Sequence, residues 1–133
     1  DFLYIINFKP DRFPLGDPKN LKDESKTPTL DRLTNNTFCT LADEDAGPTK
    51  AWIVTNRNRP DVKPFFNNAY GKRPKEELYD LKADPYQLTN VASHRDYSNV
   101  KKTLKDKLLS TLTETKDPRM VNDGEYFEII LNK

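Results

Sequence analysis

The sequence predicts an α+β fold, a small antiparallel sheet packed against a long C-terminal helix, on the strength of three stretches. Phe2 to Phe8 is dense in aromatic and branched residues, the composition of a strand. Leu78 to Leu81 alternates apolar and polar side chains and runs into Asp84-Pro85, a turn, because proline presets φ and aspartate bonds its own nearby backbone. Tyr97, Val100, Leu104, Leu108 and Leu112 then step by three or four residues, which marks one apolar stripe along a helix.

Taken in order, the first strand places Phe2, Tyr4, Ile6 and Phe8 on one face and Leu3 and Ile5 on the other, so it is expected to be buried on both sides. Prolines 10, 14, 18 and 28 and the polar run Lys19 to Lys26 forbid a long helix or a central strand, which makes residues 9–28 an extended surface loop. Pro48 suits the first turn of a helix through Arg57 that carries Trp52 and Ile53 inward. A second helix follows at once, capped by Asn58, with Pro60 and Pro64 near its start, Val62, Phe65, Phe66, Ala69 and Tyr70 on helical spacing, and Gly71 at its end. Before the last helix, Ser93 with Asp96 resembles a capping box, and Asp117-Pro118 is a stop signal. Lysines fill that helix's other face, and its stripe needs the two strands as cover. After Gly124, Tyr126 to Leu131 has the composition of a final strand.

At 133 residues the chain suits one small domain, and 35% hydrophobic content makes for a thin core. Charged residues make up 32% but nearly cancel, leaving a formal net charge of +1 and no general attraction for nucleic acid. No apolar run approaches the ~20 residues needed to span a bilayer. The single cysteine excludes an internal disulfide. Asn35-Asn36-Thr37 matches the N-glycosylation acceptor, a triplet that chance supplies often. Asp1 does not read as a natural start, so the compartment has to be inferred from a parent protein.

Few residues invite a chemical role. Asp43-Glu44-Asp45 would suit a hard cation, yet the run immediately precedes Gly47-Pro48, where acidic charge at a helix N-terminus is explained by the macrodipole. His94 has no carboxylate or cysteine at triad or metal spacing and is expected as an exposed side chain at a helix start. Cys39, between Phe38 and Leu41, is expected as a small buried hydrophobe. The cations that could meet an anionic ligand are Lys50 and Arg57 on the helix opened by Pro48, and Lys9 and Arg12 after the first strand.

Glu77-Leu78-Tyr79-Asp80-Leu81, Asp84-Pro85 and Asn90 together resemble the C-terminal segment of the sulfatase family, most nearly a bacterial branch similar to heparan N-sulfatase. Tyr4 to Pro18, Gly47 to Trp52 and Gly71 to Pro74 resemble the same branch in the same order. The resemblance implies a C-terminal subdomain, residues 1–133, of an alkaline-phosphatase-like enzyme that hydrolyses a sulfate ester or sulfamate on a sugar such as a glycosaminoglycan. It implies further that formylglycine and calcium belong to a catalytic domain outside this chain. Cys39-Thr40-Leu41-Ala42-Asp43 lacks the proline and the Ser-Arg from which formylglycine is made. The fragment is therefore expected to be inactive alone, to hold no cofactor, and to complete the fold and one wall of the substrate cleft, where Lys50, Arg57, Lys9 and Arg12 are the substrate-side candidates. Its expected partners are the parent's catalytic domain and a sulfated saccharide, and its expected location is periplasmic or secreted. Trp52, Phe65, Phe66 and Tyr70 are more aromatic mass than so lean a core consumes, so the isolated fragment is expected to form homodimers. The rival is a free-standing binding module derived from a sulfatase ending.

Overall fold

The computed structural model of the chain describes residues 1–127. Where length suggests one small domain, the chain divides into two compact units: Asp1–Pro10 with Pro74–Lys133, and Asp11–Arg73.

The first unit is built on an antiparallel pair, β1 (Phe2–Ile6) with β2 (Glu76–Asp80), with Phe2 opposite Asp80, Tyr4 opposite Leu78 and Ile6 opposite Glu76. The ladder is prolonged at both ends, where Asn7 N donates to Lys75 O at 2.9 Å and Leu81 N to Asp1 O at 3.0 Å. The helix α4 (Ser98–Glu114) packs on β1. Leu78 and Tyr79 of β2 are buried, but β1 is only half-buried and stops two residues short of Phe8. A sheet of two strands has no central strand, so the two-sided burial expected of β1 does not arise.

Polar contacts between α4 and the sheet supplement a thin apolar seam. The Tyr4 hydroxyl donates to Glu76 Oε1 at 2.5 Å, and Lys105 Nζ of α4 reaches the same oxygen at 3.0 Å. Burial first, and then that carboxylate, raise Tyr4 above the usual tyrosine range; the Tyr4 hydrogen bond, followed by Lys105, holds Glu76 low. The expected stripe of α4 is present as a half-buried face without one fully buried residue. His94, not Ser93, caps the turn Arg95–Tyr97 ahead of the helix, with Nδ1 accepting from Asp96 N at 3.4 Å. The strand expected over 126–131 lies mostly outside the described residues; Tyr126 and Phe127 are helical.

The second unit holds α1 (Leu30–Asn35), α2 (Pro48–Thr55) and α3 (Lys63–Tyr70) around a core in which Leu33, Leu41, Ala51 and Val54 are fully buried. The segment expected as an extended surface loop instead makes 3-10 turns at Lys19–Lys22 and Glu24–Lys26, and contributes Leu21 to that core. Backbone bonds hold it there: Leu41 N donates to Asp17 O at 3.2 Å and Asp43 N to Leu15 O at 3.3 Å. Between them Gly16 has φ +86, and a Cβ there would lie 3.0 Å from Ala42 N, so this crossing requires glycine. Helix α1 was not anticipated; Thr29 caps it, its hydroxyl accepting from Arg32 N at 3.3 Å.

Helix α2 turns a different face inward from the one expected. Lys50, Ala51 and Val54 are buried, Ile53 is partly buried, and Trp52 is 50% exposed. Helix α3 begins at Lys63 with Pro64 in its first turn, so Asn58 and Pro60 lie in the preceding turn and Asn58 does not cap it. Its side-chain amide donates instead to Glu24.

Candidate functional site

The expected substrate-side cations are engaged within the protein. Lys50 is 2% exposed, and its ammonium donates to the carbonyls of Thr37, Leu41 and Glu44 at 3.4, 2.9 and 2.7 Å. A buried ammonium is tolerated only when oxygens replace its hydration, and the loop between α1 and α2 wraps it with three. Arg57 lies just beyond the end of α2 and is 7% exposed. One guanidinium nitrogen donates to Val54 O at 3.0 Å, and the other to Leu21 O at 3.2 Å and Thr27 Oγ1 at 2.8 Å. Arg57 thereby ties the 3-10 segment to the end of α2. Lys9, in the first unit, pairs with Glu125 at 2.9 Å. Arg12 is exposed and belongs to the second unit, so the Lys9–Arg12 pair is divided between the two.

Arg57 nonetheless lines a cavity of the second unit. This cavity of about 300 Å³ opens beside α3, floored by Leu21, Phe66 and Tyr70 and flanked by Phe13 and Pro18. Its polar lining includes Lys22, Arg57, Asn58, Lys63 and Asn67, three cations and two amides, with no carboxylate among the described residues. Burial first, then the Glu44 carboxylate beside it, push the Tyr70 hydroxyl above the usual tyrosine range, so it stays protonated. Phe13 receives the Lys72 ammonium 5.1 Å from its ring centre, which positions the aromatic edge of the opening. Sequence reading missed Lys22 and Lys63. Lys22 stood in a segment expected to be loop, and Lys63 in the interior of a helix that in fact begins there.

The remaining chemical residues have structural settings. Cys39 is buried, with its thiol 3.7 Å from Arg32 O. His94 is exposed and caps a turn. Glu44 lends its backbone carbonyl to Lys50. Among the described residues no group of three or more histidine, cysteine, aspartate or glutamate side chains could hold a metal ion.

Comparison with known proteins relates part of the chain to sulfatases. Over 49 residues, 35% of this chain, it is 41% identical to an ulvan-active sulfatase of Formosa agariphila. Over 60 residues, 45% of this chain, it is 33% identical to another protein of that description from the same organism. Each match covers 10% of the relative's own length. No family model matches the chain. No solved structure matches it.

Proposed function

We propose that this chain is the C-terminal subdomain of a sulfatase that hydrolyses a sulfate ester on a polysaccharide, inactive alone and serving to complete the fold and one wall of the substrate cleft. The observation that carries this reading is the 41% identity to a sulfatase whose name states activity on ulvan. Both matched relatives are described as ulvan-active, and neither description names the sulfamate that the heparan N-sulfatase branch would imply. The α+β unit with its two-stranded antiparallel sheet and long helix is compatible with such a subdomain. Since Lys50 and Arg57 spend their donors on protein oxygens, their part in this reading is to shape the wall. No helix among the described residues is long and apolar enough to cross a membrane, which is compatible with a periplasmic or secreted parent.

The test is to read the coding sequence upstream of Asp1 for Cys-or-Ser-x-Pro-Ser-Arg, and to assay the full-length product and the isolated chain on ulvan with calcium present. Expected are the motif, release of sulfate by the full-length protein, and no turnover by the chain alone. Turnover by the chain itself, in a preparation free of host sulfatase, overturns the assignment. The second reading, a free-standing binding module, is favoured by one observation, the cation-lined cavity with its own buried core beneath it. Absence of the upstream motif decides for it.

A further inference from the structure

We infer that the cavity of the second unit is a binding site for a ring-bearing organic anion, a six-membered ring whose face covers the apolar floor and which carries one sulfate group. The volume of about 300 Å³ lies at the small end of ligand sites, room for one substituted ring. Leu21 and Tyr70 form a floor that is almost wholly withdrawn from water, 9% and 2% exposed, and the partly buried Phe66 completes it. An apolar concavity of this kind gains from covering by a ring face and gains little from a bare inorganic ion.

The charge of the ligand follows from the walls. Lys22, Lys63 and Arg57 all line the cavity, and no aspartate or glutamate among the described residues does. Arg57 has its donors on Val54, Leu21 and Thr27, so it contributes positive potential and rigidity, not a free hydrogen-bonding fork. Lys22 and Lys63 make no ion pair among the described residues. Two acids that contact lining residues are turned to those partners: Glu24 accepts from Asn58, and Glu44 stands at the Tyr70 hydroxyl. Two uncommitted ammonium groups above an apolar floor fit one anionic group on a ring, with charge and stacking separately required. The inference holds whether or not the parent is a sulfatase.

The experiment is calorimetric titration of the full 133-residue chain with phenyl sulfate, a sulfated methyl glucoside, their unsulfated counterparts and inorganic sulfate. At least one ring sulfate is expected to saturate a single site, about tenfold or more tighter than inorganic sulfate and than the unsulfated ring. Lys22→Gln and Lys63→Gln, which sit at the surface and leave the core untouched, are each expected to weaken that binding about threefold or more without altering circular dichroism. Lys102→Gln on α4 is the control and should leave it unchanged. The stronger of the two ring sulfates assigns the natural ligand to aromatic or saccharide chemistry. Lack of saturable binding by both, equal affinity for inorganic sulfate, or full affinity in the Lys22→Gln/Lys63→Gln double variant overturns the inference. The sulfatase reading would survive each of these results, since its own test is made on the full-length product.

Discussion

Lys50 carries more of the second unit's specificity than its residue type suggests. Its ammonium donates to three carbonyls that have turned inward from the loop between α1 and α2, of which Leu41 O also accepts from Glu44 N at 3.2 Å. Lys50→Met keeps the stem's volume and removes the donor, and is expected to cost about 2–3 kcal/mol by taking the ammonium from buried carbonyl oxygens. Urea unfolding of the two proteins measures it, and a matching midpoint would contradict the role. Gly71 makes a second sharp prediction. A Cβ there would stand 2.5 Å from the carbonyl oxygen of Asn67, a backbone atom that cannot swing away. Gly71→Ala should therefore destabilise the chain by about 1–3 kcal/mol, with α3 frayed at its C-terminus. At Asp84, whose Oδ2 accepts from Thr89 N at 2.7 Å, Asp84→Ala should lower stability by about 1 kcal/mol and leave a full-length enzyme's kcat unchanged. Equal denaturant midpoints together with lost activity would give Asp84 a direct role in function.

At the scale of elements, the end of α4 titrates in a way that can be followed directly. Beyond Glu114 the chain turns through Lys116 at φ 54 and enters the Pro118–Met120 turn, capped by Asp117. The carboxylate of Asp117 receives Arg119 N at 2.9 Å and its guanidinium at 2.8 and 2.7 Å, and these bonds pull its pKa down to about 2 from 3.8. A depressed carboxyl contributes stability that is complete above the unfolded value and is lost as pH falls through the folded one. The local turn should thus loosen between pH 3.8 and about 2, and not at higher pH. Carboxyl-detected NMR titration should return a midpoint near 2, and Arg119→Ala should restore an ordinary aspartate value. An unshifted midpoint in the parent chain would dismiss the clamp. The elements also differ in how legible they were. The stripe of α4 was plain because hydrophobic spacing is local, whereas α1 announced itself only by Thr29 after Pro28, a cap whose meaning depends on a helix just six residues long.

For the molecule as a whole, the expected aromatic surplus divides in two. Tyr70 is buried and Phe66 partly so, while Trp52 and Phe65 stand 50% and 64% exposed, with Phe38 of the same unit at 78%. Exposed aromatic mass of this order drives association when nothing covers it. Sedimentation of the isolated chain should therefore show concentration-dependent dimers, and a Trp52→Ser/Phe65→Ser double variant should stay monomeric at the same loading. A clean monomer for the unmodified chain at high concentration would leave these side chains as scattered surface hydrophobes.

The α+β class, both strands, α4 and the two helices after Pro48 were written in local pattern, because alternation, helical spacing, proline and glycine act within a few residues of themselves. So was the resemblance to sulfatases, read from four stretches between Tyr4 and Asn90. What only the tertiary structure decided is where each cation points. Lys50 was a candidate for substrate and lies under a loop, Arg57 braces a wall, and Lys22 and Lys63, unremarkable in sequence, are the ones that line an apolar cavity with no ion pair of their own among the described residues. The reason is physical: a long charged side chain is satisfied by whatever oxygens the fold brings within 3 Å, and those oxygens are backbone carbonyls whose positions no local residue pattern encodes.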